Sequence, residues 1–135
     1  MTQSLIRMLS ALAVVGVLTT APHVLAASSV PLISSVIATT IGEKHMPTCV
    51  NRSFQAMGTT SAAAGAATII FEASNVASPN IATAVDWTTL GTITLTLGTT
   101  QTNDGFVSDA SWRWVRARLS AISGTDATVS AYLGC

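Results

Sequence analysis

The sequence predicts an all-β fold: a single β-sandwich of about eight short antiparallel strands, jelly-roll or immunoglobulin-like, preceded by an apolar N-terminal segment. From Ser28 onwards, short runs rich in Val, Ile, Thr and aromatic residues alternate with segments rich in Gly, Ser, Asn, Pro and Asp. This alternation is typical of strands joined by turns. No stretch of about 11 or more residues combines a helical period with capping residues. The strand spacing leaves the topology of the sandwich open.

Three strands are predicted in the first half of the chain, over residues 30–40, 52–60 and 67–74. Pro31 places the first of them at a sheet edge or a strand start, because proline cannot donate a hydrogen bond to a neighbouring strand. In the other two, apolar side chains at alternate positions give each strand one side that faces the core. Phe54 and Ala56 lie on one side of the second strand, and Ile69, Phe71 and Ala73 lie on one side of the third.

Five strands are predicted in the second half, over residues 86–90, 92–97, 106–107, 112–122 and 128–133. The run 92–97 alternates strictly between Thr and an apolar residue, which makes it the clearest strand in the chain. The residues expected to face inward are Ile93, Leu95, Leu97, Val129, Ala131 and Leu133. Val115, Ala117 and Leu119 share one face of the strand over residues 112–122.

The connections carry turn-forming residues. Residues 61–66 (SAAAGA) predict a hairpin loop, residues 98–105 predict a polar loop with an Asp-Gly turn, and residues 123–126 predict a turn. Gly91 is expected to bend or bulge the chain between two strands. The longest connection, residues 75–85, shows no alternation, so it is the best candidate for an exposed functional loop.

Charged residues make up only 9% of the chain and hydrophobic residues 49%, with six basic residues balancing six acidic ones. An average globular protein has about 25% charged residues, and these keep it soluble. The polar surface must therefore consist of Thr, Ser, Asn and Gln, which cost less to desolvate than ions. We expect much of the surface to be buried against other subunits. The alternative is an ordinary secreted domain with a Thr-rich surface.

Residues 1–26 form an apolar segment ahead of the predicted domain, residues 27–135. Arg7 supplies a positive charge, residues 8–21 form an apolar run, and the sequence fits cleavage after Ala26. This pattern predicts a secretory signal peptide, and the run is short for a stable membrane span of about 20 residues. In a retained segment, burial of each Leu or Val side chain would contribute about 1.5–3 kcal/mol, as in an assembly arm. Both interpretations stay open.

The sequence offers no pattern that catalysis or cofactor binding requires. The two histidines are His23 in the N-terminal segment and His45 in a predicted turn, and no G-x-S-x-G motif occurs. His45 and Cys49 are four residues apart, but a zinc site needs more ligands. Asp104 and Asp109 lack the spacing of an EF-hand. We expect no catalytic residue, metal or cofactor, and the zero net charge argues against nucleic acid as a partner.

Cys49 and Cys135 are the only cysteines. Two cysteines are too few for a disulfide framework. An intrachain bridge, an intermolecular bridge through Cys135 and two free thiols are therefore all compatible with the sequence.

Two Trp and two Arg share one face of the strand predicted over residues 112–122, because alternate residues of a strand point the same way. These interface candidates are Trp112, Trp114, Arg116 and Arg118. Trp and Arg dominate binding energy at protein interfaces, and Arg also stacks on indole rings. The stripe is expected to form a subunit contact, with a carbohydrate platform and core packing as alternatives. Replacing Trp114 and Arg116 by Ala is expected to weaken assembly more than folding.

Six short segments carry a likeness to known proteins: 53–56 (SFQA), 66–69 (AATI), 72–75 (EASN), 87–95 (WTTLGTITL), 112–117 (WRWVRA) and 120–125 (SAISGT). Through them the chain resembles a loose group of small β-rich phage virion proteins. The resemblance implies a capsid decoration, cement, tail or fibre subunit. Its motifs are structural and imply no catalytic residue, and the apolar N-terminal segment departs from the usual pattern of the group.

Two functions are therefore expected. The first is a non-enzymatic virion subunit, present in many copies, that binds itself and other virion proteins. The second is a secreted or periplasmic bacterial binding module, with glycans as one ligand class, that uses the Trp–Arg face and residues 75–85.

Overall fold

The computed structural model describes residues 28–62 and 64–135. These residues form eight strands and no helix, which confirms the all-β prediction. The strands are β1 Ser29–Val36, β2 Thr40–Ile41, β3 Arg52–Thr59, β4 Gly65–Ser74, β5 Thr88–Leu97, β6 Thr102–Ser108, β7 Trp114–Ser123 and β8 Thr128–Gly134. The signal peptide or assembly arm predicted over residues 1–26 lies outside the described residues.

The strands form two four-stranded sheets, and every pairing between strands is antiparallel. Sheet I has the strand order β1-β8-β3-β6, and sheet II has the order β2-β7-β4-β5. The chain can be described as one long hairpin that turns between β4 and β5 and wraps around a core. Its two arms pair as β1·β8, β2·β7, β3·β6 and β4·β5. This arrangement is a jelly roll, so the strand order decides between the two topologies that the sequence left open.

The core lies between the sheets and is built from alternate residues of the long strands. The residues predicted to face inward in β5 and β8 are buried, which confirms those assignments. In β3, β4 and β7 the side that faces the core is the one that carries Phe54, Ile69 and Val115, respectively. Leu32 and Ile33 are neighbours in β1 and yet both are buried. The register of β1 with β8 shifts between Pro31 and Ile33, and this irregularity turns two consecutive side chains inward.

Three phenylalanines form an aromatic cluster in the core. The ring centroids of Phe54 and Phe106 are 5.1 Å apart, and those of Phe71 and Phe106 are 5.6 Å apart. A Cβ atom at Gly91 would lie 2.7 Å from the ring of Phe106, so this position requires glycine to make room for the ring. The register of β4 with β5 shifts beside Gly91, which confirms the predicted bulge.

Three predictions about the connections are wrong. Residues 61–66 do not close a hairpin, because β3 belongs to sheet I and β4 to sheet II. Residues 98–105 are not one loop, because β6 begins at Thr102. The Asp-Gly pair is accommodated within this edge strand, where Asp104 Oδ1 accepts a hydrogen bond from the next backbone N–H. The strands predicted on either side of Gly91 are a single strand, β5, which begins at Thr88.

The turn predicted over residues 123–126 is confirmed, and it carries the chain from sheet II back to sheet I. Gly124 has a φ of 114° and Asp126 a φ of 50°, both in the left-handed region. The carbonyl of Thr125 accepts a hydrogen bond of 3.0 Å from the N–H of Ser61. Two crossings between the sheets are thereby joined at one end of the sandwich.

A disulfide between Cys49 and Cys135 closes the opposite end, with Cα atoms 5.6 Å apart. Of the three alternatives that the sequence left open, the structure therefore has the intrachain bridge. The N–H of Cys135 also donates to the carbonyl of Ser28 at 3.1 Å. The end of β8 is thus tied both to the start of β1 and to the segment ahead of β3.

Arg52 strengthens the same end. Its Nε donates to the carbonyl of Cys49 at 2.9 Å, and its Nη1 donates to the carbonyl of Ala110 at 3.1 Å. Burial lowers the pKa of the Arg52 guanidinium, because desolvation disfavours the charged form. The two carbonyl partners show that this side chain joins two connections.

Replacing both cysteines by Ser should destabilise the protein strongly. The bridge spans a sequence separation of 86, for which loop-closure entropy in the unfolded chain gives about 4–5 kcal/mol. Urea denaturation should show a lower free energy of unfolding for the double variant and for the reduced wild type alike. An unchanged midpoint in both would contradict the role given to the bridge.

Candidate interaction surfaces

The Trp–Arg run lies on β7, which is an inner strand of sheet II. Trp114, Arg116 and Arg118 pair with Ser74, Glu72 and Ile70 of β4, and these three positions alternate with the buried core positions of the same strand. The predicted shared face is therefore confirmed for Trp114, Arg116 and Arg118. It is wrong for Trp112, which precedes β7 and packs against the hydrophobic core.

Glu72 binds two arginines on the outer face of sheet II. Arg116 Nε donates to Glu72 Oε2 at 2.7 Å, and Arg118 Nη2 donates to Glu72 Oε1 at 3.4 Å. The side chains of Arg116 and Glu72 are only 2% and 6% exposed, whereas that of Arg118 is 35% exposed. Arg116 and Glu72 thus form a buried ion pair, and loss of either partner would leave an uncompensated charge.

The connection after β4 covers this ion pair. The guanidinium carbon of Arg116 lies 4.2 Å from the ring centroid of Trp87, and Arg116 Nη1 donates to the carbonyl of Ile81. Lys44 Nζ donates to the carbonyl of Pro79 at 3.1 Å and lies 5.1 Å from the ring centroid of Trp114. Two cations from different elements therefore hold residues 75–87 against sheet II.

Asn80 organises the same connection from within. Its N–H donates to Asp86 Oδ2 at 2.7 Å, and its Oδ1 accepts from the N–H of Ala82 at 2.9 Å. Its carbonyl accepts from Trp87 Nε1 at 2.9 Å. The connection that was predicted to be a functional loop is therefore fixed by internal hydrogen bonds, although Val85 on it is 92% exposed. Its functional role stays a prediction.

The outer face of sheet I differs from that of sheet II, because no outward position on it carries a charge. We call this surface the uncharged face. Apart from the phenol of Tyr132, the ionisable residues of its four strands are Arg52 and Asp104. Arg52 is buried, and Asp104 is exposed on the edge strand β6, at a position that pairs with the inward Ala56. The outward residues are Ser29, Pro31, Ser53, Gln55, Met57, Thr59, Asn103, Gly105, Val107, Thr128, Ser130, Tyr132 and Gly134.

The uncharged face is uneven. Gly134 and Ser53 are paired between β8 and β3, and their small size leaves a groove of about 500 Å³ at the disulfide end. Val107 borders this groove and is 83% exposed, and Arg52 and Asp109 line the groove at the rim of the face. A second depression, of about 290 Å³, lies beside Met57 and Tyr132 towards the other end. The face therefore carries both apolar projections and empty space.

The residues considered for metal binding are used in the fold. His45 pairs with Val115 through two backbone hydrogen bonds, at 2.8 and 2.9 Å, and Cys49 is part of the disulfide. Within residues 28–62 and 64–135, no three His, Cys, Asp or Glu side chains are grouped so that they could hold a metal ion. In the same part of the chain, no helix has the length and hydropathy to cross a membrane.

Comparisons with protein-family models, with curated proteins and with solved structures return no match for this chain. The two surfaces are therefore interpreted from their own chemistry.

The partners of the stripe were not found from the sequence, although one signal was present. Glu72 is an isolated acid at an outward position between apolar residues of a long strand, and an unpaired carboxylate there would be costly if covered. Trp87 and Lys44 carry no such signal, because they reach the stripe from connections distant in sequence. The interface role of Trp114 and Arg118 stays a prediction, whereas Arg116 is buried by its own chain.

Glu72→Ala should destabilise the protein by about 3–5 kcal/mol, because it leaves Arg116 charged and buried. Arg118→Ala is the matched control, because it removes the longer and more exposed contact of the same carboxylate and should cost about 1 kcal/mol or less. Thermal and urea unfolding measure both. Equal effects would show that Arg116 does not depend on Glu72.

The burial of Arg116 reverses the expectation for Trp114→Ala with Arg116→Ala. The double variant should lower the thermal stability of the isolated protein and expose residues 75–87 to protease, because the cation that holds Ile81 and Trp87 is lost. Limited proteolysis with mass mapping would locate the cuts. Unchanged stability together with weaker assembly would restore the original expectation.

Proposed function

We propose that the protein is a non-enzymatic structural subunit of a phage virion, which decorates or cements the capsid or forms part of the tail or fibre. It acts through contacts between β surfaces in a multi-copy assembly. The observation that carries this function is the uncharged face: an outer sheet surface without an ion imposes little desolvation cost when it is covered. The jelly roll adds support, because this architecture recurs in viral capsid proteins.

Four ionisable groups among the described residues have structural roles. Glu72 neutralises Arg116, Arg52 binds two carbonyls, and Asp86 accepts from a backbone N–H. Each of these groups is thereby occupied in holding a connection or a strand. A structural subunit uses ionisable groups in this way, whereas a catalytic acid or base needs access to a substrate.

A secreted bacterial binding module is the second candidate, and the disulfide favours it. Disulfides persist in oxidising compartments, and a cleavable signal over residues 1–26 would deliver the chain to one. Virion surfaces are also oxidising, so the bridge is compatible with both candidates. Glycan binding on the stripe has weaker support, because Arg116 lies over the ring of Trp87 and Lys44 over that of Trp114.

Co-purification with particles tests the first candidate directly. Antibody against the protein should label virus-like particles isolated on a density gradient from the producing cells, and intact-mass measurement of the particle-bound chain should give a start near Met1. Recovery from culture medium or periplasm alone, with a start at Ala27, would support the secreted module and contradict the virion subunit.

A further inference from the structure

We infer that the uncharged face is a self-association surface, on which a second copy of this chain docks face to face about a two-fold axis. This inference presupposes the multi-copy role proposed above and names the surface and the occupant. It moves the contact from the Trp–Arg stripe of sheet II to the opposite side of the sandwich.

The charge distribution favours a second copy as the occupant. In a two-fold contact the residues close to the axis meet their own copies, so an ion there would face a like charge. The four strands of sheet I place no ionised side chain at an outward position, whereas sheet II carries Glu72, Arg116 and Arg118 on its outer face. The central row of sheet I, which contains Pro31, Tyr132, Gln55 and Gly105, can therefore meet its own copy without electrostatic repulsion.

The difference in how the two outer faces are covered also favours sheet I as the contact surface. Residues 75–87 lie over part of sheet II and bury Arg116, so this chain already supplies a partner for that surface. The connections described for the chain place no such segment over the centre of sheet I, where Gln55 is exposed between Tyr132 and Gly105. Sheet I is therefore the face that remains for a second molecule.

The projection and the depression on the uncharged face are compatible with a contact between two copies of that face. It combines an apolar projection, Val107, with the depression beside Met57 and Tyr132 at the other end. A two-fold axis across the strands exchanges the two ends, so that each copy can present a projection to a depression of the other. Tyr and Met are also residue types that are enriched in protein interfaces.

The size of the face sets the expected strength. Four strands at about 4.8 Å spacing and seven residues at about 3.4 Å rise give a flat area of roughly 450 Å². A standard interface buries about 800 Å² per partner, so one such contact is weak on its own. Dimerisation of the purified protein should therefore appear between about 10 μM and 1 mM, and repeated copies in an assembly would add avidity.

The test places a charge at the centre of the face. Gln55→Lys and Gln55→Glu should each weaken dimerisation about tenfold or more in sedimentation equilibrium at low salt, because two like charges meet across the axis whatever their sign. An equimolar mixture of the two variants should recover association, because opposite charges then meet. Thr94→Lys is the matched control: Thr94 is an exposed strand residue on the outer face of sheet II, and its substitution should change the dissociation constant less than about twofold.

Thermal unfolding of each variant, monitored by circular dichroism, confirms that the compared proteins are folded. Wild-type dimerisation, loss in both Gln55 variants and rescue by mixing support the inference. A dimer dissociation constant that is unchanged in both Gln55 variants, or that shifts in opposite directions in the two, overturns the inference. The virion role would then have to depend on another surface. A wild type that stays monomeric up to 1 mM also overturns the inference, and the particle co-purification then decides the virion role separately.

Discussion

The sandwich has two outer faces, and within residues 28–62 and 64–135 a connection covers part of only one of them. On sheet II, Arg116 and Glu72 are buried beneath residues 75–87, which Trp87 and Lys44 help to hold in place. On sheet I the outward side chains are uncharged, and those of Ser53, Gln55 and Val107 are exposed. The covered face of sheet II therefore contributes to the stability of the fold, and the uncharged face of sheet I is the surface on which the proposed function depends.

The buried ion pair between Arg116 and Glu72 holds the longest connection, residues 75–87, against sheet II. An ion pair in a sheet face is costly to desolvate and stabilises the fold only if further hydrogen bonds complete it. Besides its ion pair, Arg116 donates a hydrogen bond to the carbonyl of Ile81 and lies over the ring of Trp87. Arg118 adds a second, partly exposed contact to Glu72. The pair therefore fixes one conformation of the longest connection, and an interface role for this side of the molecule would act through residues 75–87 and Trp114.

The sequence predicts the core well and the long-range arrangement poorly, for one physical reason. Alternation tells which residues share one side of a strand, and the groups of apolar residues that it gave between Phe54 and Leu133 are buried. It does not tell which sheet a strand joins, so residues 61–66 were assigned to a hairpin although they cross between sheets. Nor does it tell what covers an outward residue, which is why Arg116 was expected at an interface. The Cys49–Cys135 bridge likewise joins two parts of the chain that are distant in sequence and meet only after the jelly roll has formed.

Oxidative footprinting of the purified protein at low and high concentration tests most directly whether the uncharged face is buried by self-association. Met57 and Tyr132 lie on that face, whereas Met46 lies outside it and is 47% exposed. The account predicts that labelling of Met57 and Tyr132 falls together as the concentration rises, while labelling of Met46 stays constant. Constant labelling at all three residues, or protection confined to Met46, would contradict it.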